Sequence, residues 1–408
     1  MRNKVTTRRL IAGKRLKICL ISSGSCDAVG GLASYMRSLA YHGTSEYDVS
    51  GVARIHLDGP PGIDYDYSEK PRTLRTGSYE THIITPKGAF RPLLRHLHHF
   101  TSRAKLMKLA PLIFRQAYQA ALSAAVPADT DVIHFVGTGW DLLGFAALAE
   151  ARRRDVAFTV LPAVHPGTWG DSALDVLLYN QADIVFTLSQ FERQHLIECG
   201  AQCSRLEVIG LAPSVKGTGN ASRFRARHNL GDRPLILFIG RKHMSKGYHQ
   251  LCSAMPKVLE KFPDSCLVIV APSGDPTYPP LPESASLDLG KADEAEKEDA
   301  LAACDVFCMP SATESFGIVY VEAWSYAKAV VGGPAPAVRE LITDDVNGFC
   351  VEQKQEAIAE ILIRLLSDRV LRTELGSAGQ RLQQDRFTWE IVVRAHKDKF
   401  NQLLFSEV

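Results

Sequence analysis

The run Asp305-Val-Phe-Cys-Met-Pro310 leads directly into Ser311-Ala-Thr-Glu-Ser-Phe-Gly-Ile-Val-Tyr-Val-Glu-Ala323, and this passage decides how the chain reads. Its first part is a short apolar run of the kind that forms a buried strand, and its last part reads as a helix starting near Gly317. The first amide groups of such a helix have no partner within it and are free to bind an anion. Glu322 then lies about a turn and a half along, whereas Glu314 stays in the loop before the helix. Two acids at separate depths, flanking free amides, suit a ligand that carries both phosphates and hydroxyl groups. Taken alone, the same acids fit a helix cap and a solvated helix residue equally well.

The same strand-and-helix unit repeats on either side. Strand-like runs at 235–239, 267–271, 329–331 and 349–351 alternate with helical stretches near 246–261, 294–303, 335–342 and 355–366. The first half alternates likewise, with runs at 16–22, 131–136, 156–161, 183–188 and 206–209 separated by helical stretches near 32–41, 141–154, 171–182 and 189–199. Continuous apolar strands between helices predict parallel sheets covered on both faces. A Gly-, Ser- and Asn-rich stretch at 213–222 reads as a linker. The expected fold class is α/β, with two Rossmann-like α/β domains facing each other across a cleft. The boundaries read as 1–212 for an N-terminal domain with a basic arm, 213–385 for a C-terminal domain, and 386–408 for a final helix that crosses back to the first.

With 408 residues, 46% hydrophobic and 23% charged, the chain is an ordinary globular protein long enough for two cores. Its formal net charge of +2 gives no reason to expect a nucleic-acid partner. No apolar run reaches the roughly 18 residues of a membrane span, and the first residues lack the apolar core of a secretory signal, so a cytoplasmic location is expected. Most of the nine cysteines, including Cys19, Cys252, Cys266 and Cys308, sit in apolar runs, as reduced core thiols do. Cys199/Cys203 and Cys304/Cys308 lack the further ligands of a zinc site, and no metal is expected.

Two basic patches stand out. Residues 1–15 carry six Lys or Arg without an acid, and residues 87–115 carry seven, plus His96, His98 and His99, again without an acid. Within 90–122 Leu93, Leu97, Phe100, Leu106, Leu109 and Phe114 share one broad helical side, the opposite side is basic, and Pro111 reads as a break. Such a segment suits an anionic membrane surface, which would make the protein peripheral at the inner membrane face; a solvated helix face has the same pattern. Before it, Leu16–Ser22, the turn ending in Gly30-Gly31 and a following helix open a nucleotide-type α/β unit, although the spacing is not that of the dinucleotide fingerprint.

In chain order, Gly30-Gly31, His165, Ser189 of Ser-Gln-Phe-Glu, Gly240-Arg241, Lys246-Gly247, Pro310-Ser311, Glu314-x-Phe316-Gly317-x-x-x-x-Glu322, Asn347-Gly348-Phe349 and Phe387-Thr-Trp389-Glu390 resemble the motifs of one known family. Over roughly residues 16–405 the chain is similar to the retaining glycosyltransferases of the GT-B fold, family 4 type, and it matches their Glu-x-Phe-Gly-x-x-x-x-Glu signature in full. The resemblance implies transfer of a sugar from a nucleoside diphosphate sugar, used as co-substrate, to a glycan, lipid-linked or small-molecule acceptor, with no obligatory metal or cofactor. Arg241 and Lys246 would meet the diphosphate. Negative charge grows there as the glycosidic bond breaks, so cations and helix-start amides stabilise the transition state. Glu322 would accept the ribose hydroxyls, and the amides of Phe316, Gly317 and Ile318 would meet the sugar and diphosphate. Glu314 and His165 would hold the donor sugar, and glycines at Gly30 and Gly31 allow a ligand to approach the backbone closely. Whether Glu314 also stabilises a cationic sugar stays open. Retention would proceed by same-face attack, with the departing phosphate helping to take the acceptor proton.

Trp140, Asp141 and Trp169 follow strands of the first domain and are candidates for the acceptor side, whereas His134 lies in an apolar run and reads as core. The pairs Asp64/Asp66 and Asp129/Asp131 lack the context of a metal site. The chain departs from the family pattern at Pro272–Pro280 and at Gly210–Ser214, which leaves uridine, guanosine and adenosine donors open. Two other readings remain: a nucleotide-sugar epimerase of the same fold, and a non-catalytic sugar- or membrane-binding protein.

Overall fold

The structure, a computed structural model, describes residues 15–24, 31–54, 70–76, 79–94, 96–97, 107–272 and 281–405. Residues 1–14 of the basic arm, Gly30, Asp64, Asp66 and, in the basic segment, Arg95, His98, His99, Phe100, Arg103 and Leu106 lie outside the described residues. The chain divides into two compact units, Met1–Gly210 with Trp389–Val408, and Leu211–Thr388.

The first unit is built on β1 (Leu16–Ser22), β2 (Tyr47–Ala53), β3 (Arg72–Thr76), β4 (Tyr79–Ile83), β5 (Val132–Val136), β6 (Ala157–Leu161), β7 (Ile184–Thr187) and β8 (Leu206–Val208). Their order in the sheet is β3-β4-β2-β1-β5-β6-β7-β8, parallel throughout except for the edge pair β3–β4. β5 and β6 are buried along their whole length, as strands covered on both faces must be. The helices are α1 (Gly31–His42), the single turn α2 (Arg91–Leu94), α3 (Leu109–Ala125), α4 (Leu143–Arg154), α5 (Ala173–Tyr179) and α6 (Gln190–Glu198). α3 packs on α4 and buries Ala110, Phe114, Ala117, Tyr118 and Leu122 at helical spacing. Pro111 does not break this helix. It is the third residue of α3, where the amide that proline lacks would have no intrahelical acceptor anyway.

The second unit is a parallel sheet of β9 (Leu235–Ile239), β10 (Cys266–Val270), β11 (Ser286–Asp288), β12 (Val306–Met309), β13 (Ala329–Gly332) and β14 (Phe349–Cys350), in the order β11-β10-β9-β12-β13-β14. Its helices are α7 (Ala221–Arg227), α8 (Tyr248–Lys261), α9 (Glu294–Ala303), α10 (Ile318–Ser325), α11 (Pro336–Leu341), α12 (Gln355–Ser367) and α13 (Arg369–Arg386). The expected linker is shorter than its composition suggests. Asn220 caps α7 by accepting the Arg223 amide at 2.8 Å, so the helix starts inside the polar stretch.

The last helix, α14 (Trp389–Phe405), belongs to the first unit. A buried polar chain fastens it. The Tyr35 hydroxyl lies 2.7 Å from His396 Nε2 and 3.0 Å from His134 Nε2, His134 Nδ1 lies 2.8 Å from Thr159 Oγ1, and His396 Nδ1 lies 2.8 Å from Val392 O. A carbonyl only accepts, so His396 Nδ1 donates to it and Nε2 accepts from Tyr35. His134 Nε2 then donates to the Tyr35 oxygen, and its Nδ1 accepts from Thr159. Every group is satisfied with both histidines neutral, and burial lowers the pKa of each.

In both sheets the chain order reverses direction at one point: between β1 and β5 in the first unit, and between β9 and β12 in the second. Ligands of open α/β sheets bind outside the carboxyl ends of the strands at such points.

Candidate functional site

In the second unit the loops leaving β9 and β12 flank the reversal point, and they carry most of the residues singled out in the sequence. After β9 comes Gly240, then Arg241, then a 3-10 turn Met244–Lys246 that ends at Gly247 with φ of +70°. A Cβ at Gly247 would stand 2.3 Å from Pro310 O, so only glycine lets the two loops approach this closely. Ala312 N donates to Ser245 O at 2.8 Å. Gln353 closes the arrangement from the segment after β14, its Nε2 lying 2.6 Å from Pro310 O and 3.3 Å from Met244 O.

These contacts carry Lys246 to Glu314. Lys246 Nζ donates to Glu314 Oε1 at 2.6 Å and lies 3.4 Å from Thr313 O, and both side chains are about nine-tenths buried. Arg241 differs: it is exposed, and its guanidinium makes no ion pair among the described residues. The neighbouring Lys242 pairs with Asp288 instead.

Gly317 sits before α10 with φ of +92°, a left-handed conformation that favours glycine, and a Cβ there would meet the Tyr320 ring at 2.8 Å. The amides of Phe316, Gly317 and Ile318 donate to no acceptor among the described residues. Phe316 itself is buried, its ring edge-on to Phe387 with centroids 5.5 Å apart, so its side chain anchors the loop and its backbone stays available. Neither acid is a solvated helix residue. Glu322 is 4% exposed and accepts from Lys297 Nζ of α9 at 2.9 Å.

In the first unit His165 lies in a tight turn after β6. Its amide donates to Trp169 O at 3.0 Å, the Thr168 amide donates back to His165 O at 2.9 Å, and Trp169 Nε1 donates to Ala163 O at 2.9 Å. Trp169 is 42% exposed and Trp140, in the loop after β5, is 40% exposed. Asp141 belongs to a capping box with Thr138, and the Trp140 amide donates to Asp175 Oδ1 at 2.8 Å. Gly31 begins α1, and a Cβ there would meet nothing within 4 Å. Asp131 accepts the Lys17 amide at 2.9 Å and Asp129 pairs with the Lys17 side chain, so this acidic pair fastens the start of β1.

Sequence reasoning passed over Lys297 and Gln353, and it quoted Glu192 only as the end of the Ser-Gln-Phe-Glu motif, without a role. Lys297 looks like one more charge in an acidic helix, and its partner Glu322 is 25 residues away.

Residues 220–382 match the model of the family described as glycosyl transferases group 1. A GDP-mannose-dependent alpha-(1-6)-phosphatidylinositol monomannoside mannosyltransferase from Mycolicibacterium smegmatis is 31% identical over 289 residues, covering 63% of this chain and 74% of that protein. A GDP-mannose-dependent monoacylated alpha-(1-6)-phosphatidylinositol monomannoside mannosyltransferase from Corynebacterium glutamicum is 32% identical over 395 residues, covering 92% of this chain and 95% of that protein. Among solved structures, sucrose-phosphate synthase from Thermosynechococcus elongatus aligns with a TM-score of 0.74 at 20% identity, covering 96% of this chain and 100% of the other. Anabaena HepE in complex with UDP and glucose aligns with a TM-score of 0.71 at 18% identity, covering 95% of this chain and 100% of the other. At these identities the solved structures speak for the fold, which is GT-B. The chain belongs to the group 1 glycosyl transferases and is a glycosyltransferase that uses a nucleotide sugar.

Proposed function

We propose that this enzyme is a retaining mannosyltransferase that takes GDP-mannose as donor and a phosphatidylinositol-based glycolipid as acceptor. The observation that carries the reading is full-length similarity to a protein named for that donor and acceptor, joined to a cation and amide cluster at the reversal point of the second sheet. Arg241 is exposed on the loop after β9, and on the loop after the neighbouring strand β12 the amides of Phe316, Gly317 and Ile318 donate to no acceptor among the described residues, a combination that suits a diphosphate. Lys246 delivers a second positive charge and orients Glu314, which accepts the mannose hydroxyls. Glu322, held by Lys297, accepts the ribose hydroxyls. His165 is assigned to the donor sugar as well. The leaving diphosphate takes the acceptor proton, so the protein supplies no separate base.

The same reading assigns the lipid surface to the basic segment. Leu93, Leu109 and Leu112 are exposed large apolar side chains, and they lie in the same stretch as Arg91, Lys108 and Arg115. Apolar contact with acyl chains plus attraction to anionic headgroups is how an interfacial helix binds. No helix among the described residues is long and apolar enough to cross a membrane.

The test is turnover by the full chain with GDP-mannose or UDP-glucose, in the presence and absence of vesicles containing a phosphatidylinositol mannoside. The reading expects GDP release that depends on the vesicles and a mannosylated lipid product. Release from UDP-glucose alone refutes the donor. A changed sugar without nucleotide release refutes transfer.

A further inference from the structure

The first unit holds a buried carboxylate that this transfer chemistry does not use. Glu192 is 1% exposed and sits in the first turn of α6, three residues after the cap Ser189, whose hydroxyl accepts the Glu192 amide at 3.0 Å. Its oxygens accept backbone amides from two different loops: Val164 N reaches Oε1 at 2.5 Å, and Leu188 N reaches Oε2 at 2.6 Å. Val164 is the residue before His165. Ala163, on its other side, has φ of +50°, which a non-glycine residue holds only where its surroundings fix it. A second acid, Asp171, accepts Gly167 N at 2.7 Å and pairs with His195 at 3.0 Å on the far side of the same turn. The His165 turn is therefore held by side chains anchored on other elements.

No cation pairs with Glu192 among the described residues. On its own helix, Arg193 turns to Leu206 O at 3.3 Å and Cys203 Sγ at 2.8 Å, and His195 is taken by Asp171. Around the nearby Tyr179 phenol the ionisable groups that act on it are Glu192 itself and the carboxyls of Asp175, Asp141 and Asp171, none of them a cation. Burial pushes the Glu192 carboxyl up to about 7, against the pull of the two amides.

We propose that Glu192 is the positioning residue for His165, and that only its ionised form holds the loops after β6 and β7 together and so keeps the imidazole where it meets the donor sugar. The inference rests on the reading of His165 as a donor-sugar contact. A carboxylate accepts both amides. Protonation leaves one oxygen a hydroxyl, a much weaker acceptor whose proton competes with the amide N–H facing it, so the hold on one of the two loops weakens. Transfer is then expected to weaken on the acid side of neutrality through a group that never touches substrate.

The experiment measures GDP release from GDP-mannose by the full chain between about pH 5.5 and 9, with vesicles containing a phosphatidylinositol mannoside present throughout. Wild type is expected to lose kcat on the acid side with a midpoint near 7. Glu192→Gln keeps the shape but offers one acceptor and one donor, as the protonated acid does. It should lower kcat by on the order of 10- to 100-fold, flatten the acid limb and leave GDP affinity unchanged. An acid limb that survives in Glu192→Gln, with only thermal stability altered, overturns the proposal. If Glu192→Gln does not fold, wild type still decides: the amide resonances of Val164 and Leu188 should titrate with the same midpoint as kcat, and amides that do not titrate overturn the proposal. His165→Ala with full turnover overturns it together with the reading of His165. An inactive His165→Ala beside an unchanged pH profile in Glu192→Gln overturns the clamp alone.

Discussion

Lys246 Nζ lies 2.6 Å from Glu314 Oε1, and the pair is almost wholly buried at the point where the second sheet reverses its chain order. Each charge is compensated mainly by the other, so removing one partner does more than remove a contact.

Lys246→Ala should leave an uncompensated buried carboxylate, at a cost of about 3–5 kcal/mol in stability, and should abolish measurable transfer. Lys246→Met combined with Glu314→Gln should recover most of the stability and none of the activity. Chemical denaturation beside turnover checks this. Activity that returns with stability would show that the pair is only structural.

Arg241→Ala is expected to behave differently, because the guanidinium is exposed and unpaired among the described residues. The fold should be unaffected, while GDP binding weakens on the order of 10- to 150-fold, the loss of one charge-assisted hydrogen bond of about 1.5–3 kcal/mol. Thermal shift by GDP is the measurement, since a ligand bound only by the folded state raises its apparent stability. An equal shift in the variant would remove Arg241 from the donor site.

The His134–Tyr35–His396 chain makes stability depend on pH. Burial lowers both histidines below their ordinary value of 6.5, that of His396 to about 4. As pH falls the unfolded chain takes up protons first, so stability is full above 6.5 and declines through the window down to about 4. His396 alone accounts for about 3 kcal/mol across that window. Urea midpoints of wild type should fall across it more steeply than those of Tyr35→Phe/His134→Leu/His396→Leu, in which every polar side chain of the chain except that of Thr159 becomes apolar. Parallel curves would show that carboxylates alone set the acid limit.

Vesicle binding tests the basic segment. Arg91, Lys108 and Arg115 changed together to Ser should weaken cosedimentation with anionic vesicles by about 3 kcal/mol, roughly 1 kcal/mol per charge. Turnover of a water-soluble acceptor should be unchanged. Identical cosedimentation would remove the membrane assignment.

Much of the fold was legible because a strand covered on both faces must be apolar along its length, and β5, β6, β9 and β12 are. Pro111 misled because a proline ends a helix interior but not a first turn, and composition does not reveal which turn it occupies. β11, three residues long and partly exposed at a sheet edge, carries too little pattern to be seen. The carboxylates Glu314 and Glu322 could be named from their spacing, but their burial and their partners Lys246 and Lys297 could not.

By itself, then, the sequence determined the alternation of strands and helices and the order of its motif residues, since both are set by neighbours along the chain. Tertiary structure alone decided which distant groups meet: Gln353 on Pro310, Lys297 on Glu322, Glu192 on the loop before His165, and His396 on Tyr35. Those partners are separated by tens to hundreds of residues. A buried charge or hydrogen-bonding group takes whichever partner the packing of sheets and helices leaves within reach, which no local pattern records.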